Sequence, residues 1–303
     1  KLVSVITGNH DCHDDQTELW TKESGWITYD KIRPFHTVAT LNKQGEVELY
    51  KPNKIIIDDY SGDMYKIERT SLNFCVTPNH RLLLNDYKTN INEYEYAEDF
   101  SKRVGITGKR FVVSGSKNES KCKLTDDEIA IAGWILTDGH IRSNEYQDVS
   151  FSQRVQKYEL ITNILDRLKV SYTTSTRTRN IKEIMGRKLK KPSQPCVEIR
   201  VHSESREYLL SLISTKEQLP DWTWELDDRQ FDVFLNSMID GDGSRKSTGA
   251  ICLYKDNIKI LDQLQGLLAF HGYRSSRYWY SKNLLFDNMK HCRLNILKSK
   301  NIQ

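Results

Sequence analysis

The chain lacks the features that mark a membrane protein, a disulfide-bonded protein or a zinc protein. No apolar run approaches the roughly 20 residues that a membrane-spanning helix needs. None of the six cysteines forms a CxxC pair, which argues against a zinc site and favours a reducing, cytoplasmic location inside the cell. No signal peptide is visible, and the chain opens in a β-like run, KLVSVIT, with no methionine, so we expect the natural start to lie upstream.

The remaining composition is that of a folded, mildly basic protein. Of the 303 residues, 38% are apolar and 28% are charged, and the formal net charge is +4. This length accommodates two or three domains. The positive charge permits nucleic acid as a partner without requiring it.

The sequence pattern changes about a third of the way along the chain. Residues 1–113 contain short alternating runs such as TVATLNKQGEVELY and NFCVTP, separated by Asn, Asp and Gly, which predicts a β-rich region. The polar segment 114–123 predicts a linker. From Leu124 onward helical and strand patterns alternate, so the whole chain is predicted to be α+β.

The second region contains an internal repeat, offset by roughly a hundred residues. In the first copy, Thr125 and Glu128 form a capping-box pattern ahead of EIAIAGWILTDGHI. In the second copy, Asp227 and Gln230 take these positions ahead of FDVFLNSMIDGDGS. Each copy is predicted as helix, strands, helix, strand and helix, with the last helix absent from the second copy.

Both capped helices end in an acid followed by glycine, Asp138-Gly139 and Asp242-Gly243. Either pair alone is typical of an ordinary C-cap and turn. Two such helices packed side by side would bring the carboxylates together, where mutual repulsion and the helix dipoles are unfavourable. The matching positions in the repeat therefore favour a divalent-cation site, because Mg²⁺ prefers carboxylate oxygens and can assist phosphodiester cleavage.

These two stretches, IAGWILTDG and LNSMIDGDG, resemble the paired motifs of LAGLIDADG (DOD-type) homing endonucleases, over about residues 120–303. The resemblance implies two αββαββα halves, 124–213 and 214–303, in pseudo-twofold relation. It implies a monomer of microbial or phage origin that cuts double-stranded DNA and holds two or three Mg²⁺ ions at Asp138 and Asp242. It also implies a polar or basic residue near each metal; the catalytic candidates matched in this way are Gln156, Lys157, Lys255 and Lys298.

Two basic stretches predict DNA contacts, although each could instead be a solvated loop. Cations that neutralise phosphates supply affinity, and arginine read against guanine supplies specificity. The candidates in the first stretch are Arg177, Arg179, Lys182, Arg187, Lys188 and Lys190. Those in the second, where aromatic residues are interleaved, are Arg274, Arg277 and Lys282.

The first region resembles the amino half of an intein splicing domain, a Hint fold, over residues 12–113. The resemblance rests on the block that starts at Cys12, a following Gly-Trp pair, and the sequence TPNH. It implies that the Cys12 thiol attacks the carbonyl of Asp11 to form a thioester, while Thr77 and His80 polarise the peptide bond. Taken alone, a cysteine is more often a core residue and a histidine more often structural.

Residues 1–11 resemble the end of a host protein, the N-extein. Their GNHD sequence is similar to a metal-binding loop of calcineurin-like phosphoesterases, including SbcD-type nucleases, so the host is expected to be such a protein. The Asp11 carboxylate is expected to promote N-terminal cleavage. The final intein blocks do not precede Gln303, so this chain alone is expected not to splice, whether it is a fragment, a truncated reading frame, a split intein or a decayed one.

The sequence therefore predicts a Mg²⁺-dependent, sequence-specific endonuclease embedded in an intein. The alternative is an incomplete or decayed element that binds DNA, or cleaves its own N-terminal peptide bond, without cutting DNA. A maturase-like binder is a third possibility, which the intein blocks disfavour. No membrane association is expected.

Overall fold

A computed structural model describes residues 12–302 except 43–44, 57–58, 70–71, 104–107, 142–148, 179–182, 185–186, 189–194, 214, 248, 282–289 and 299–300. The N-extein interpretation of residues 1–11, with Asp11, lies outside this part of the chain. No helix among the described residues has both the length and the apolar character needed to cross a membrane.

The first region is built from short β-strands, as the alternating pattern predicts. Strands β1 (Glu18–Thr21), β2 (Gly25–Thr28), β3 (Val38–Leu41) and β4 (Val47–Tyr50) form a sheet in the order β2-β1-β3-β4. Strands β5 (Tyr65–Arg69) and β6 (Leu72–Val76) pair with each other, and β7 (Arg81–Asp86), β8 (Asn92–Tyr96) and β9 (Lys109–Val112) belong to a third sheet. A single turn of 3₁₀-helix (Tyr29–Lys31) and a short helix α1 (Ala97–Ser101) interrupt the strands.

The third sheet is completed from the other end of the chain. Strand β20 (Asn301–Ile302) pairs antiparallel with β9, with Asn301 opposite Val112 and Ile302 opposite Phe111. The assignment of residues 214–303 to the second endonuclease half stays a prediction, while the last strand of that range pairs with the β-rich first region. The α/β region is therefore inserted between two neighbouring strands of one sheet.

The two repeat copies fold with the same topology. The first contains α2 (Asp126–Thr137), β10 (Gly139–Ile141), β11 (Val149–Arg154), α3 (Tyr158–Arg167), β12 (Tyr172–Arg177), β15 (Cys196–Val201) and α4 (Ser203–Leu212), with a small hairpin of β13 (Glu183–Ile184) and β14 (Arg187–Lys188). The second contains α5 (Asp228–Asp242), β16 (Gly243–Arg245), β17 (Ile251–Lys255), α6 (Ile258–Phe270), β18 (Tyr273–Ser281) and β19 (Lys290–Lys298), after a 3₁₀-helix (Asp221–Glu225). The sheet orders correspond, β10-β11-β15-β12 and β16-β17-β19-β18. Among the described residues, the helices and strands of the two halves follow one another in the predicted order.

The capping residues start the two repeat helices where the sequence predicts. Thr125 Oγ1 accepts from the Glu128 amide at 3.3 Å, and Glu128 Oε2 accepts from the Thr125 amide at 2.7 Å. Asp227 Oδ1 accepts from the Gln230 amide at 2.7 Å. These bonds satisfy backbone donors that have no partner inside a helix, and they define where α2 and α5 begin.

Helices α2 and α5 pack closely because each presents a glycine to the other. A Cβ placed at Gly133 would overlap the side chain of Ser237. A Cβ at Gly241 would overlap the side chain of Thr137, whose own Cβ would lie only 2.7 Å away. Residues larger than glycine would separate the two helices at these points.

The segment expected to be a linker is instead packed against the second half. The amide of Gly115 donates to the carbonyl of Ala269 at 2.8 Å, and the amide of Lys117 donates to Asp228 Oδ1 at 2.9 Å. The amide of Lys121 donates to the carbonyl of Glu225 at 3.0 Å. Residues 114–121 therefore lie against the fold, with Ser114 and Ser116 buried, rather than spanning free solvent.

Two tryptophans join the first β-sheet to α6. Trp20 is fully buried, with its ring 5.0 Å from that of Trp224 and 5.3 Å from that of Phe270. Trp26 Nε1 donates to Gln265 Oε1 at 3.0 Å. Trp20 belongs to the same apolar cluster as the cores of both repeat halves, so this sheet and the α/β region share one hydrophobic core.

Candidate functional site

The C-terminal ends of α2 and α5 meet, and they bring the two predicted acids together. Asp138 is the C-cap of α2 and Asp242 is the last residue of α5, and both are half-buried. A Cβ at Gly241, beside Asp242, would lie 3.3 Å from Asp138 Oδ2. Burial raises the pKa of the Asp138 carboxyl and the charge of Asp242 raises it further, against the opposing effects of Gln153, Lys157 and Lys216.

Lysines from both halves cross to the helix end of the opposite half. Lys255 Nζ donates to Asp242 Oδ2 at 2.9 Å and to the carbonyl of Leu136 at 2.7 Å. Lys157 Nζ donates to the carbonyl of Asp240 at 2.9 Å. Leu136 and Asp240 each lie two residues before the motif acid of their helix, so the two carbonyl acceptors are equivalent, although the two lysines are not at equivalent positions. C-terminal carbonyls lack partners inside the helix, and cations are favourable there.

Gln153, rather than the predicted Gln156, contacts the first acid. In the strand register Gly139 lies opposite Phe151 and Gly243 opposite Leu253, so Gln153 and Lys255 are equivalent positions in the two halves. Gln153 Nε2 donates a hydrogen bond to Asp138 Oδ2. Gln156 is exposed in the turn after β11. Alignment of the repeats strand by strand, rather than helix by helix, could have identified Gln153.

Lys216 is a further site residue that the sequence did not reveal. It lies in the connection between the two halves, and its Nζ donates to the carbonyls of Thr137, at 3.2 Å, and of Gly139. Burial and the neighbouring Lys255 lower the pKa of the Lys216 ammonium to about 8. The residue has no counterpart in the repeat, so comparison of the two copies could not identify it.

Lys298 lies away from the acid pair, contrary to the expectation from the resemblance. Its Nζ forms an ion pair with Asp232 Oδ2 at 2.7 Å. Asp232 lies ten residues before Asp242 in α5, which corresponds to about 15 Å along the helix axis. Among the residues that the structure describes, Lys157, Lys216 and Lys255 are the cations that act on the two acids.

The acid pair fits the ligands that Mg²⁺ takes from proteins. No group of three or more His, Cys, Asp or Glu residues placed to share a metal occurs among the described residues. Mg²⁺, however, is commonly bound by one or two carboxylates, with waters and substrate phosphates completing its coordination. Asp138 and Asp242 would supply such a set, and a cation between them would relieve the unfavourable burial of the Asp138 charge.

The first-half sheet presents a polar, basic face on the side opposite its core. Phe151, Val197 and Ile199 point into the core, and strand alternation puts their neighbours on the other face. That outer face carries Ser150, Ser152, Arg154, Thr173, Ser175, Arg177, Glu198 and Arg200. Its predicted DNA contact Arg177 is exposed on this face.

The equivalent face of the second half carries Tyr254, Arg274, Ser276, Tyr278, Arg293 and Asn295. Arg274 lies on it as a DNA contact requires, but Arg277 does not. Arg277 is directly opposite the buried Leu294, on the helix-facing side, where it forms an ion pair with Asp262 of α6. Burial lowers the pKa of its guanidinium. The strand register thus turns Arg277 away from the face that carries Arg274, and its role as a DNA contact stays a prediction.

The remaining predicted DNA contacts have no described side chain. Arg187 and Lys188 form β14, which pairs with β13. Arg179, Lys182, Lys190 and Lys282 lie outside the described residues.

The predicted splicing residues lie together at the end of β6. The carbonyl of the exposed Cys12 accepts from the amide of Thr77 at 3.1 Å, and His80 follows Thr77 in the next turn. His80 is 2% exposed, and its ring lies 4.6 Å from that of His13 in an edge-on arrangement. Both histidines line a cavity of about 80 Å³ that extends to Phe270 of α6. His13 was not among the predicted splicing residues.

Comparisons with known proteins give distant relatives. No protein-family model matches the chain. It is 25% identical over 255 residues to an ATP-dependent Clp protease proteolytic subunit from Chlamydomonas moewusii. The matched region covers 74% of this chain but 24% of that protein. It is 34% identical over 83 residues to the C-terminal section of the β subunit of a DNA-directed RNA polymerase from Stigeoclonium helveticum, covering 27% of this chain and 8% of that protein. The chain thus spans a quarter or less of the curated relatives it matches.

Similar solved structures include a variant of the homing endonuclease I-DmoI, in complex with its target DNA in the presence of magnesium. The superposition covers 57% of this chain and 89% of the I-DmoI chain, at 12% identity and a TM-score of 0.38. The superposition on the N-terminal LAGLIDADG domain of WhiA covers 58% of this chain and 77% of the WhiA chain, at 14% identity and a TM-score of 0.37. The homing endonuclease I-WcaI, bound to its DNA recognition sequence, covers 57% and 76%, at 15% identity and a TM-score of 0.35.

Proposed function

We propose that this chain is a sequence-specific endonuclease that hydrolyses double-stranded DNA with Mg²⁺ held by Asp138 and Asp242. The observation that carries the proposal is the meeting of these two carboxylates at the ends of α2 and α5, despite the raised pKa of Asp138. Carboxylates placed together at unfavourable helix ends make chemical sense when they hold a divalent cation. The motif resemblance supports the same function.

The surrounding polar groups have separable roles in this proposal. Mg²⁺ supplies activation of the attacking water and stabilisation of the leaving oxygen. Gln153 orients the Asp138 carboxylate, and Lys255 orients that of Asp242. Lys157 and Lys255 bring positive charge to the place where the phosphate would lie. Lys216, with a pKa of about 8, can hold or release a proton at its Nζ near neutral pH.

The two sheets supply the DNA-binding surface. Each presents one polar face with exposed or half-buried cations, and the two faces are related by the same pseudo-symmetry as the acids. Arginines on these faces would contact phosphates and base edges in successive segments of the major groove. Because one acid comes from each half, the site is suited to cut one phosphodiester bond in each strand.

We propose further that the first region is a splicing-type domain, in which the Cys12 thiol attacks the preceding carbonyl and the leaving nitrogen takes a proton with assistance from His80. The proximity of Cys12, Thr77 and His80 supports this role. So does the insertion of the α/β region between β9 and β20, because a sheet interrupted in this way can stay intact around an inserted enzyme. A phosphoesterase host and a monomeric state remain parts of the proposal.

The test is cleavage of DNA that encodes VITGNHD joined directly to the downstream host sequence, with Mg²⁺ or with EDTA. Mg²⁺-dependent, staggered cuts near the junction are expected, with both Asp138→Asn and Asp242→Asn inactive. Asp232→Asn is the matched control, since that acid pairs with Lys298 away from the site, and it should cut normally. Binding without cleavage by the wild-type protein would favour the decayed alternative, and equal cleavage by all three variants would exclude the acid pair as the active site.

A further inference from the structure

The matching registers of the two sheets allow a residue-by-residue comparison of their outer faces. In the first half, Ser152, Glu198 and Ser175 lie side by side on three neighbouring strands. In the second half, the equivalent row is Tyr254, Arg293 and Tyr278. The central residue thus changes from an acid to a base between otherwise equivalent positions.

Glu198, the acid in the first-half row, already pairs with two arginines of the same sheet. Glu198 Oε2 forms an ion pair with Arg177 Nη2 at 2.5 Å, and Glu198 Oε1 accepts a hydrogen bond from Arg200 Nη2 at 3.1 Å. The Glu198 side chain is 13% exposed. One carboxylate therefore holds two arginines across the row, and part of their charge is compensated within the protein.

The base in the second-half row is held by an aromatic ring. The Arg293 guanidinium lies over the ring of Tyr278, 4.7 Å from its centroid, with Tyr254 on the neighbouring strand. Arg293 forms no ion pair within the described part of the chain, and its buried Nε has no hydrogen-bond partner there. Stacking on an aromatic face limits the rotamers of a guanidinium, so its N–H donors are preorganised for a planar acceptor.

We propose that Arg293 is a specificity-determining residue that reads a guanine on one side only of the cleavage centre. The inference rests on the proposed function. Guanine O6 and N7 present in the major groove the paired acceptors that an arginine fork matches. The first half has no equivalent cation, because its position holds Glu198. The two half-sites must therefore differ at this base pair, and the target is not a palindrome.

The row also lies close to the acid pair. Tyr254 directly precedes Lys255, which contacts Asp242, and neighbouring strands are about 4.8 Å apart. An arginine at this distance reaches bases within about four base pairs of the nearer cut, at about 3.4 Å per base pair.

The test is selection of bound sequences from a random double-stranded DNA library without Mg²⁺, using wild type, Arg293→Lys and Tyr278→Leu. Arg293→Lys keeps the charge but loses the fork, so discrimination for guanine at one position should fall about 5-fold to 150-fold, with the other positions unchanged. Tyr278→Leu should weaken the same preference by less. Arg229→Lys is the matched control, since Arg229 is exposed at the start of α5 and pairs with Asp126.

The other outcomes separate the two levels of the proposal. Uniformly weaker binding by Arg293→Lys, with unchanged base preferences, would make Arg293 a phosphate contact and overturn the inference alone. Loss of guanine preference at two symmetric positions would overturn the asymmetry. A wild-type protein that selects no sequence at all would overturn both the inference and the proposed function.

Discussion

Gly241 controls the distance between the two acids, and its replacement by alanine should separate stability from activity. The new Cβ would overlap the Thr137 side chain and approach Asp138 Oδ2 to 3.3 Å. Overpacking of this kind costs about 1–3 kcal/mol, whereas alanine in place of glycine within a helix returns about 1 kcal/mol. The net loss of unfolding free energy should therefore be about 0–2 kcal/mol, which leaves the protein folded.

The effect of Gly241→Ala on cleavage should be much larger than its effect on stability. Displacement of α5 relative to α2 by about 1 Å would move Asp242 away from its productive position, and such misplacement can reduce the rate about 100-fold. Single-turnover cleavage of the DNA target gives the rate, and urea unfolding gives the stability.

A second substitution tests the cause. Thr137 occupies the position in α2 that is equivalent to Gly241 in α5. The Thr137 Cβ would lie 2.7 Å from the methyl group that Gly241→Ala introduces, so only glycine at position 137 removes the overlap. The double variant Thr137→Gly/Gly241→Ala should be less stable than Gly241→Ala, since it loses the hydrogen bond from Thr137 Oγ1 to the carbonyl of Gly133. It should nevertheless cut DNA faster. If cleavage by the double variant stays as slow as by Gly241→Ala, the reasoning about helix spacing is wrong.

Four further outcomes are expected. The pKa of Lys216 is lowered from 10.5 to about 8, so between these pH values the unfolded chain binds more protons than the folded one. The contribution of Lys216 to the free energy of unfolding should therefore increase with pH from about 8 to 10.5. Urea unfolding at several pH values measures this increase, which Lys216→Met should abolish. Burial and the charge of Asp242 raise the pKa of Asp138, so ionisation of Asp138 destabilises the fold as the pH rises through its folded pKa. The free energy of unfolding of Asp138→Asn at pH 7 should therefore be about 0.5–2 kcal/mol higher than that of the wild type, while cleavage is lost. A less stable variant would contradict this. Trp20→Ala should lower the free energy of unfolding by about 3–5 kcal/mol and still unfold in one cooperative transition, because the core is shared. The control Trp26→Phe, which loses one hydrogen bond, should lower it by about 1 kcal/mol. A separate early transition of the first region would argue against a shared core. Dithiothreitol should release the peptide that precedes Cys12, as measured by mass spectrometry, whereas Cys12→Ala should release none, and equal release by both would refute thioester formation.

Local features of the fold were predictable because they depend on neighbouring residues. The capping box at Thr125 and the capping aspartate Asp227 set the helix starts from side chains that reach only three residues along the chain. The order of helices and strands, and the acid at the end of each repeat helix, follow from hydrophobic periodicity and from the repeat itself. The meeting of Asp138 and Asp242 was predictable because two equivalent helices pack most simply about a pseudo-twofold axis.

The composition of the site depended on the tertiary structure. A shift of one residue along a strand moves a side chain to the opposite face, so the sequence could not distinguish Arg274, on the outer face, from Arg277, paired with Asp262. Gln153 reaches Asp138 only through the strand register, and Lys216 reaches the helix end only because the connection between the halves folds back over it.

By itself, then, the sequence determined the β-rich first region, the two α/β copies and the acid that closes each repeat helix, because spacing and caps act within a few residues. Only the tertiary structure decided which side chains surround those acids, which arginines share a face, and that β20 returns to pair with β9. Those relations join residues far apart in the chain, and they depend on packing and register that no local pattern encodes.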